Sequence, residues 1–323
     1  MKIRSITELV ILAAFLISAL VVATGFNTGD SIESELSKSV RGYVQEGNRL
    51  FNAGRVNYNK ASIQYWKAIK LDPDNAEAHY KLASIYYAYV WNHEALEALS
   101  EVKRVEPSYK GLYLLLGKVH DKMANAEEAF AAFQKAVEQQ PQNSEAHYYL
   151  GTMYQQQSMS YLNKDEDEKA VDVLNMSINE YVKAIEANSD DTAVVKSHLQ
   201  LGRIYRNNQP DIAAQKLRKA LDINPQAMEV ISELRNIYRI QAENYESQRE
   251  FLKAAEKYRE MININPGDER NADIYVKIGN IYRSNELYDR AAKVFEKAAE
   301  LDPMNFEAFT ALKELELLKD TEE

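Results

Sequence analysis

The sequence predicts an all-α chain built from helix pairs stacked in series, and three observations predict it. Glycine and proline are scarce, 11 and 7 in 323 residues, less than half their usual share of a chain. Six of the seven prolines close a helical run: KAIKLDP (Pro73), EVKRVEP (Pro107), KAVEQQP (Pro141), ALDINP (Pro225), MININP (Pro266) and AAELDP (Pro303). The first three are spaced by 34 and 34 residues, and a fixed period of that size is the mark of a repeat architecture. Hydrophobic residues make up 46% of the chain, enough for a substantial core and too many for a disordered chain.

The elements follow in order. Residues 9–26 (LVILAAFLISALVVATGF) form an uncharged run of 18 residues, with Lys2 and Arg4 before it and polar NTGDSIESE after it. About 18–20 apolar residues just span a bilayer. Residues 1–26 are therefore expected to be an uncleaved transmembrane anchor. A cleaved signal peptide, cut after Ala23 or Gly25, is the alternative, and a buried core helix is the plain third reading. Lys2 and Arg4 hold the amino terminus in the cytoplasm, which places the body across the membrane. The expected location is a bacterial periplasm, tethered to the membrane or secreted there after cleavage. Residues 27–39 read as a polar linker.

Seven units follow, at about 40–75, 76–109, 110–143, 144–191, 192–227, 228–268 and 269–304. Each carries a small residue in its first helix: Gly47, Ala83, Gly117, Gly151, Gly202 and Gly279, with Arg235 replacing it in the sixth unit. Alanines 61, 95, 129 and 213 hold a matching place in the second helix, and Tyr65, Phe133, Tyr181, Tyr258 and Phe295 recur further along it. Tyr86, Tyr154, Tyr205, Tyr238 and Tyr282 share one slot, read as core. Small residues let two helices approach, and proline ends the second because it cannot continue the hydrogen-bond ladder. In the fourth unit Ser189 stands where proline is expected. This pattern resembles the tetratricopeptide repeat, over about residues 40–318. The resemblance implies a right-handed α-solenoid of about seven helix pairs, capped by a helix over 305–319 that packs through Phe309 and Leu312, with an acidic tail at 320–323. No unit can bury its apolar face alone, so neighbours must stack.

Two units are long, the fourth by 14 residues and the sixth by 7. The fourth predicts helices over about 144–162 and 166–187 around the charged turn 164–169, with an apolar stripe at Ala170, Leu174, Ile178, Tyr181 and Ile185. It reads either as a plain protrusion or as a docking finger and self-association contact.

Catalytic constellations are missing: no GxSxG, no HExxH, no phosphate loop and no dinucleotide fingerprint. There is no cysteine, which excludes disulfides, thiolate metal sites and cysteine nucleophiles. His79, His147 and His198 each stand four residues before the small residue of their units, and His120 and His93 are scattered, so packing is their expected role. No enzyme activity, cofactor or metal is expected. With 39 Lys+Arg against 49 Asp+Glu, the net charge of −10 also argues against nucleic acid.

What remains is binding of other proteins. In the resembled family the second, fifth, ninth and twelfth residues of each unit, counted with the small residue as the eighth, face the inner groove. Here the first four units place Asn48, Tyr80, Tyr87, Lys118 and Tyr148 on that face, and the last three place Arg203, Arg206, Asn236, Arg239, Asn280 and Arg283 there. Arg206, Arg239 and Arg283 share one slot and form an expected ladder for an extended acidic peptide; the plain alternative is ordinary exposed helix surface. The family's chaperone-tail clamp needs a lysine where this chain has Val44, so that function is not carried over. The expected function is a membrane-anchored, extracytoplasmic, non-catalytic scaffold binding partner peptides in the groove. The alternatives are a periplasmic assembly factor for a pilus, secretion or outer-membrane complex and, remotely, the accessory part of a transferase.

Overall fold

The computed structural model describes residues 28–322, with side chains from 34 to 317. The expected anchor at 9–26 therefore lies outside the described residues, and among those described no helix is long and apolar enough to cross a membrane. The described residues form fifteen α-helices and one short 3-10 turn, with no strand.

Two compact bodies divide the chain between Gln140 and Pro141. The N-terminal body holds α1 (Thr28–Asn52), α2 (Tyr58–Leu71), α3 (Ala76–Ala88), α4 (Asn92–Val105), α5 (Leu112–Lys122) and α6 (Ala126–Gln139). The C-terminal body holds α7 (Ser144–Leu162), α8 (Asp167–Ala187), α9 (Asp191–Tyr205), α10 (Pro210–Ile223), α11 (Met228–Ser247), α12 (Phe251–Asn263), α13 (Asn271–Ser284), α14 (Tyr288–Leu301) and α15 (Phe306–Glu322). Odd-numbered helices are the first of each pair and even-numbered ones the second. In both bodies the heaviest packing is within a pair. The expected helix pairs with a final single helix are thus present.

Three turns share a device for starting the next pair. Asn75, Asn143 and Asn305 each stand two residues after the closing proline. Their side chains accept from the backbone N–H groups of Ala78 (3.0 Å), Ala146 (3.0 Å) and Ala308 (2.9 Å), satisfying donors the helix cannot. Within five of the pairs, the turn is closed by a non-glycine residue in the left-handed region: Val90, Ala124, Asp165, Arg249 and Glu286, with φ from 58° to 64°. In the first unit, two extra residues instead make a 3-10 turn (Arg55–Asn57) after Gly54, whose φ is 97°.

The small-residue slot works as expected. A Cβ on Gly117 would fall 2.5 Å from the Phe133 ring, and one on Gly279 2.5 Å from that of Phe295. Tyr65, Phe133, Tyr181, Tyr258 and Phe295 of the second helices are fully buried. In the shared first-helix slot, by contrast, Tyr238 and Tyr282 are buried while Tyr86, Tyr154 and Tyr205 are only half-buried. Arg235 is buried in the small slot of the sixth unit and donates to Asn271 Oδ1 at 3.0 Å. Asn271 in turn donates to the Asn265 carbonyl at 2.7 Å.

Two expectations need correction. Residues 28–39, read as a linker, form the start of α1. They contain no proline and, after Gly29, no glycine, and Val40 and Val44 are buried against the next helix, so nothing local stops the helix. The capping helix α15 packs through Ala308, Ala311 and Leu315, with half-buried Leu312 against the same core, whereas Phe309 is exposed. It runs to Glu322, through most of the expected tail.

The long hairpin of the fourth unit spans 144–162 and 167–187, close to expectation. Of its expected stripe, Ala170 and Tyr181 are buried and Leu174, Ile178 and Ile185 half-buried. Small polar residues fill the contact instead: Ser177 Oγ donates to the Gly151 carbonyl (2.8 Å) and Ser158 Oγ to that of Ala170 (2.7 Å). At its base Ser144 and Ser189 each accept from the other's backbone N–H at 2.9 Å. That reciprocal clasp explains serine in the proline slot, since proline has no N–H to give.

Candidate functional site: the first-helix face

The positions singled out as groove residues are all surface or half-buried, and none lies in the core. In the N-terminal body, Asn48 of α1 is held on both sides of its amide. It accepts from the Tyr65 hydroxyl at 2.8 Å and donates to Glu77 Oε1 of α3 at 2.8 Å. One turn on, Tyr80 packs its ring 4.9 Å from Tyr109. The Tyr109 phenol is pushed up to about 12 by burial and then by the charge of Glu77 and by Tyr80, so it stays a donor at neutral pH. Gly111 lets this pair close: it has a φ of 88°, and a Cβ there would lie 2.6 Å from the Tyr80 oxygen. Lys118 of α5 sets its Nζ 5.5 Å from the centre of the Tyr87 ring, a cation over a π face. The body thus presents amide, phenol and ammonium groups from three successive first helices.

In the C-terminal body Tyr148 holds the repeat slot that Tyr80 holds in the N-terminal one. It stands 6.0 Å from Tyr181 and carries Lys196 Nζ over its ring at 5.6 Å. Beyond it come the arginines. Arg206 reaches Glu233 Oε1 at 2.7 Å, and Arg203 reaches Glu229 Oε1 at 2.6 Å, both across from α9 to α11. Arg283 reaches Glu314 Oε2 at 2.6 Å, and Asn280 donates to Glu307 Oε1 at 2.9 Å, both from α13 to α15. Arg239 pairs within its own helix with Glu243 at 2.7 Å, and also donates to Asn236 at 2.8 Å.

The expected ladder residues therefore do not stand bare: each meets a glutamate. Four of these links join the first helix of one unit to the first helix of the next, and Asn48 to Glu77 repeats the arrangement in the N-terminal body. Sequence reading set Glu229 on this face but did not pair these residues with their acceptors. The signal for three of them is a glutamate four residues after the closing proline, as at Glu77, Glu229 and Glu307. Exposed pairs of this kind contribute about 0.2–1 kcal/mol each and weaken with salt.

The histidines have structural roles. Nε2 of His79 lies 2.9 Å from the Pro73 carbonyl, and Nε2 of His147 lies 2.9 Å from that of Pro141, so each ties a first helix to the turn before it. Among the described residues no group of three or more histidine, aspartate or glutamate side chains is arranged to hold a metal ion.

Family models described as tetratricopeptide repeats match residues 47–88, 111–143, 132–171 and 272–305. Anaphase-promoting complex subunit 3 of Dictyostelium discoideum is 32% identical over 79 residues, 24% of this chain and 8% of that protein. Interferon-induced protein with tetratricopeptide repeats 2 of Mus musculus is 27% identical over 127 residues, 37% of this chain and 27% of that protein. The chain thus spans less than a third of the length of these curated relatives. The crystal structure of the C-terminal part of a TPR repeat-containing protein from Cytophaga hutchinsonii superposes with a TM-score of 0.53 at 19% identity, over 83% of this chain and 99% of that one. This likeness shows the fold alone.

Proposed function

We propose that this chain, whose described residues are a series of tetratricopeptide-repeat helix pairs, is a non-catalytic scaffold that holds partner proteins on its first-helix face. We further propose that residues 9–26 anchor it in a membrane with the repeats outside the cytoplasm. The observation that carries the reading is the face formed by Asn48, Tyr80, Tyr87 and Lys118: polar and aromatic groups on three successive first helices that no core position requires. Aromatic rings with polar tips are what protein interfaces use as anchors. A relative named as a subunit of a complex supports the same direction. The anchor rests on the length of the apolar run and the cations before it.

Affinity purification of the full-length chain with crosslinking tests the first part. The Tyr80→Ala/Tyr87→Ala variant should lose partners that the parent retains, at unchanged helicity. Full retention of those partners would overturn this reading. For the anchor, deletion of residues 1–26 should move the protein from the membrane fraction to the soluble one, and a truncated chain that still pellets would sink it.

A further inference from the structure

Second helices of successive pairs flank the first helix between them, so a shallow cleft runs along each joint. Three such clefts share this geometry and differ in charge. Around α3, Trp66 faces Glu94, Glu97 and Glu101 of α4. Around α5, Lys103 of α4 faces both Glu128 and Lys135 of α6. Around α13, a cleft of about 430 Å³ takes Arg259 from α12 and Arg290, Lys293 and Lys297 from α14, over a floor that includes Tyr275 and Tyr282, and no carboxylate lines it.

The four cations are all exposed. Arg290, Lys293 and Lys297 follow one another at three and four residues, which places them on one stripe of α14. Lys297 has a partner in Glu300 at 2.7 Å. Glu260, on the neighbouring turn of α12, is taken up by Arg218 at 3.1 Å. Arg259, Arg290 and Lys293 have no carboxylate partner among the described residues. The contrast is with Arg206, Arg239 and Arg283 on the first-helix face, each of which already has one.

We propose that the α12–α13–α14 cleft binds an acidic segment of a partner protein, with its carboxylates on Arg259, Arg290 and Lys293. This rests on the reading of the chain as a protein-binding scaffold and names the chemistry of one partner. Guanidinium forks match carboxylates in shape and charge. A single exposed ion pair is weak, so converging cations are what the site needs and has. The chain's net charge of −10 repels a long polyanion such as nucleic acid, while a short carboxylate run can be held locally. Half-buried Tyr275 offers the segment an apolar floor.

The test uses the full-length chain in a neutral detergent and a short fluorescent oligoglutamate peptide, read by anisotropy. Oligoglutamate should bind, oligoglutamine of equal length should not, and added salt should weaken the complex. The Arg290→Gln/Lys293→Gln variant should bind about tenfold more weakly or worse, while Arg203→Gln/Arg239→Gln should bind as the parent does. Should the double variant lose helicity, protection of Lys293 and Lys297 from acylation by the bound peptide, read by mass spectrometry on the parent, decides instead. Absence of oligoglutamate binding, equal binding of oligoglutamine, unchanged affinity in the Arg290/Lys293 variant, unprotected lysines, or tighter binding of a single-stranded oligonucleotide would each overturn the proposal. Failure here leaves the partners of the Tyr80/Tyr87 face in place, and failure there leaves this binding in place, so the two readings fall separately.

Discussion

His147 and Glu180 meet inside the long α7–α8 hairpin, with Nδ1 2.6 Å from Oε2 and both side chains buried. A carbonyl cannot donate, so Nε2 is the donor towards Pro141, and Nδ1 faces the Glu180 carboxylate. Burial pushes the Glu180 carboxyl up, but hydrogen bonds from His147 and Lys183 outweigh it and leave the group below its ordinary range. Removing one member strands the other in the interior. Glu180→Ala should therefore cost about 3 kcal/mol, read as a lower midpoint of urea unfolding. An unchanged midpoint would mean that the pair contributes nothing.

His198 occupies the same slot one unit on and behaves oppositely. Its Nδ1 is buried without a partner. Burial, then repulsion from Lys216 and Lys219, pushes its pKa down to about 4 from an ordinary 6.5. Between those values the unfolded chain takes up a proton that the folded one refuses. Stability should therefore fall as pH drops from about 6.5 towards 4, by up to roughly 3 kcal/mol. Glu180, with its lowered pKa, loses its contribution only at lower pH. His198→Leu should flatten the upper part of the profile, and an identical slope in parent and variant would contradict the assignment.

Val90 closes the α3–α4 turn at a φ of 64° and is 66% exposed. A β-branched residue gains nothing there and bears the steric cost of the left-handed region. Val90→Gly should raise stability by about 1 kcal/mol, net of glycine's greater freedom when unfolded. Thermal or urea unfolding checks it, and destabilisation would show that the exposed side chain makes a contact worth more than the strain.

Arg206 and Glu233 link α9 to α11, with side chains 36% and 14% exposed. Arg206→Glu should destabilise by about 1 kcal/mol, since two carboxylates then face each other. Adding Glu233→Arg should restore most of the loss, while Glu233→Arg alone should not be tolerated better than Arg206→Glu alone. A double-mutant cycle with no coupling would rule the link out as a contributor to stability.

The helix pairs were legible because proline, glycine and buried rings recur in register, and a repeated pattern averages out local ambiguity. Helices expected over 144–162 and 166–187 lie at 144–162 and 167–187. The start of α1 was not legible, because SIESELSKSV is polar and polarity alone does not separate linker from surface helix. Phe309 and Ala308 differ by one position, and a single helix with one neighbour has no second face to settle which is buried. The face residues themselves could be placed from register. Their partners could not: Arg206 and Glu233, or Arg283 and Glu314, are 27 and 31 residues apart, in different repeats. Slot alignment compares equivalent positions and does not say which unequal positions touch. The cations around Tyr275 escaped for the same reason, since α12 and α14 meet only through the floor that α13 supplies.

The links from Arg203 to Glu229, Arg206 to Glu233 and Arg283 to Glu314 also make the C-terminal body an elastic element whose compliance depends on the electrolyte around it. Each strut crosses one joint, on one side, close to solvent. Dilute electrolyte draws the struts tight, and concentrated electrolyte, where the Debye length falls to about 3 Å at 1 M, slackens them. The apolar seams behind them, around Leu217, Tyr238 and Phe295, do not respond in that way. Ionic strength then sets how far neighbouring repeats splay under a load before those seams give, and a partner carboxylate competing for one arginine would release its joint alone.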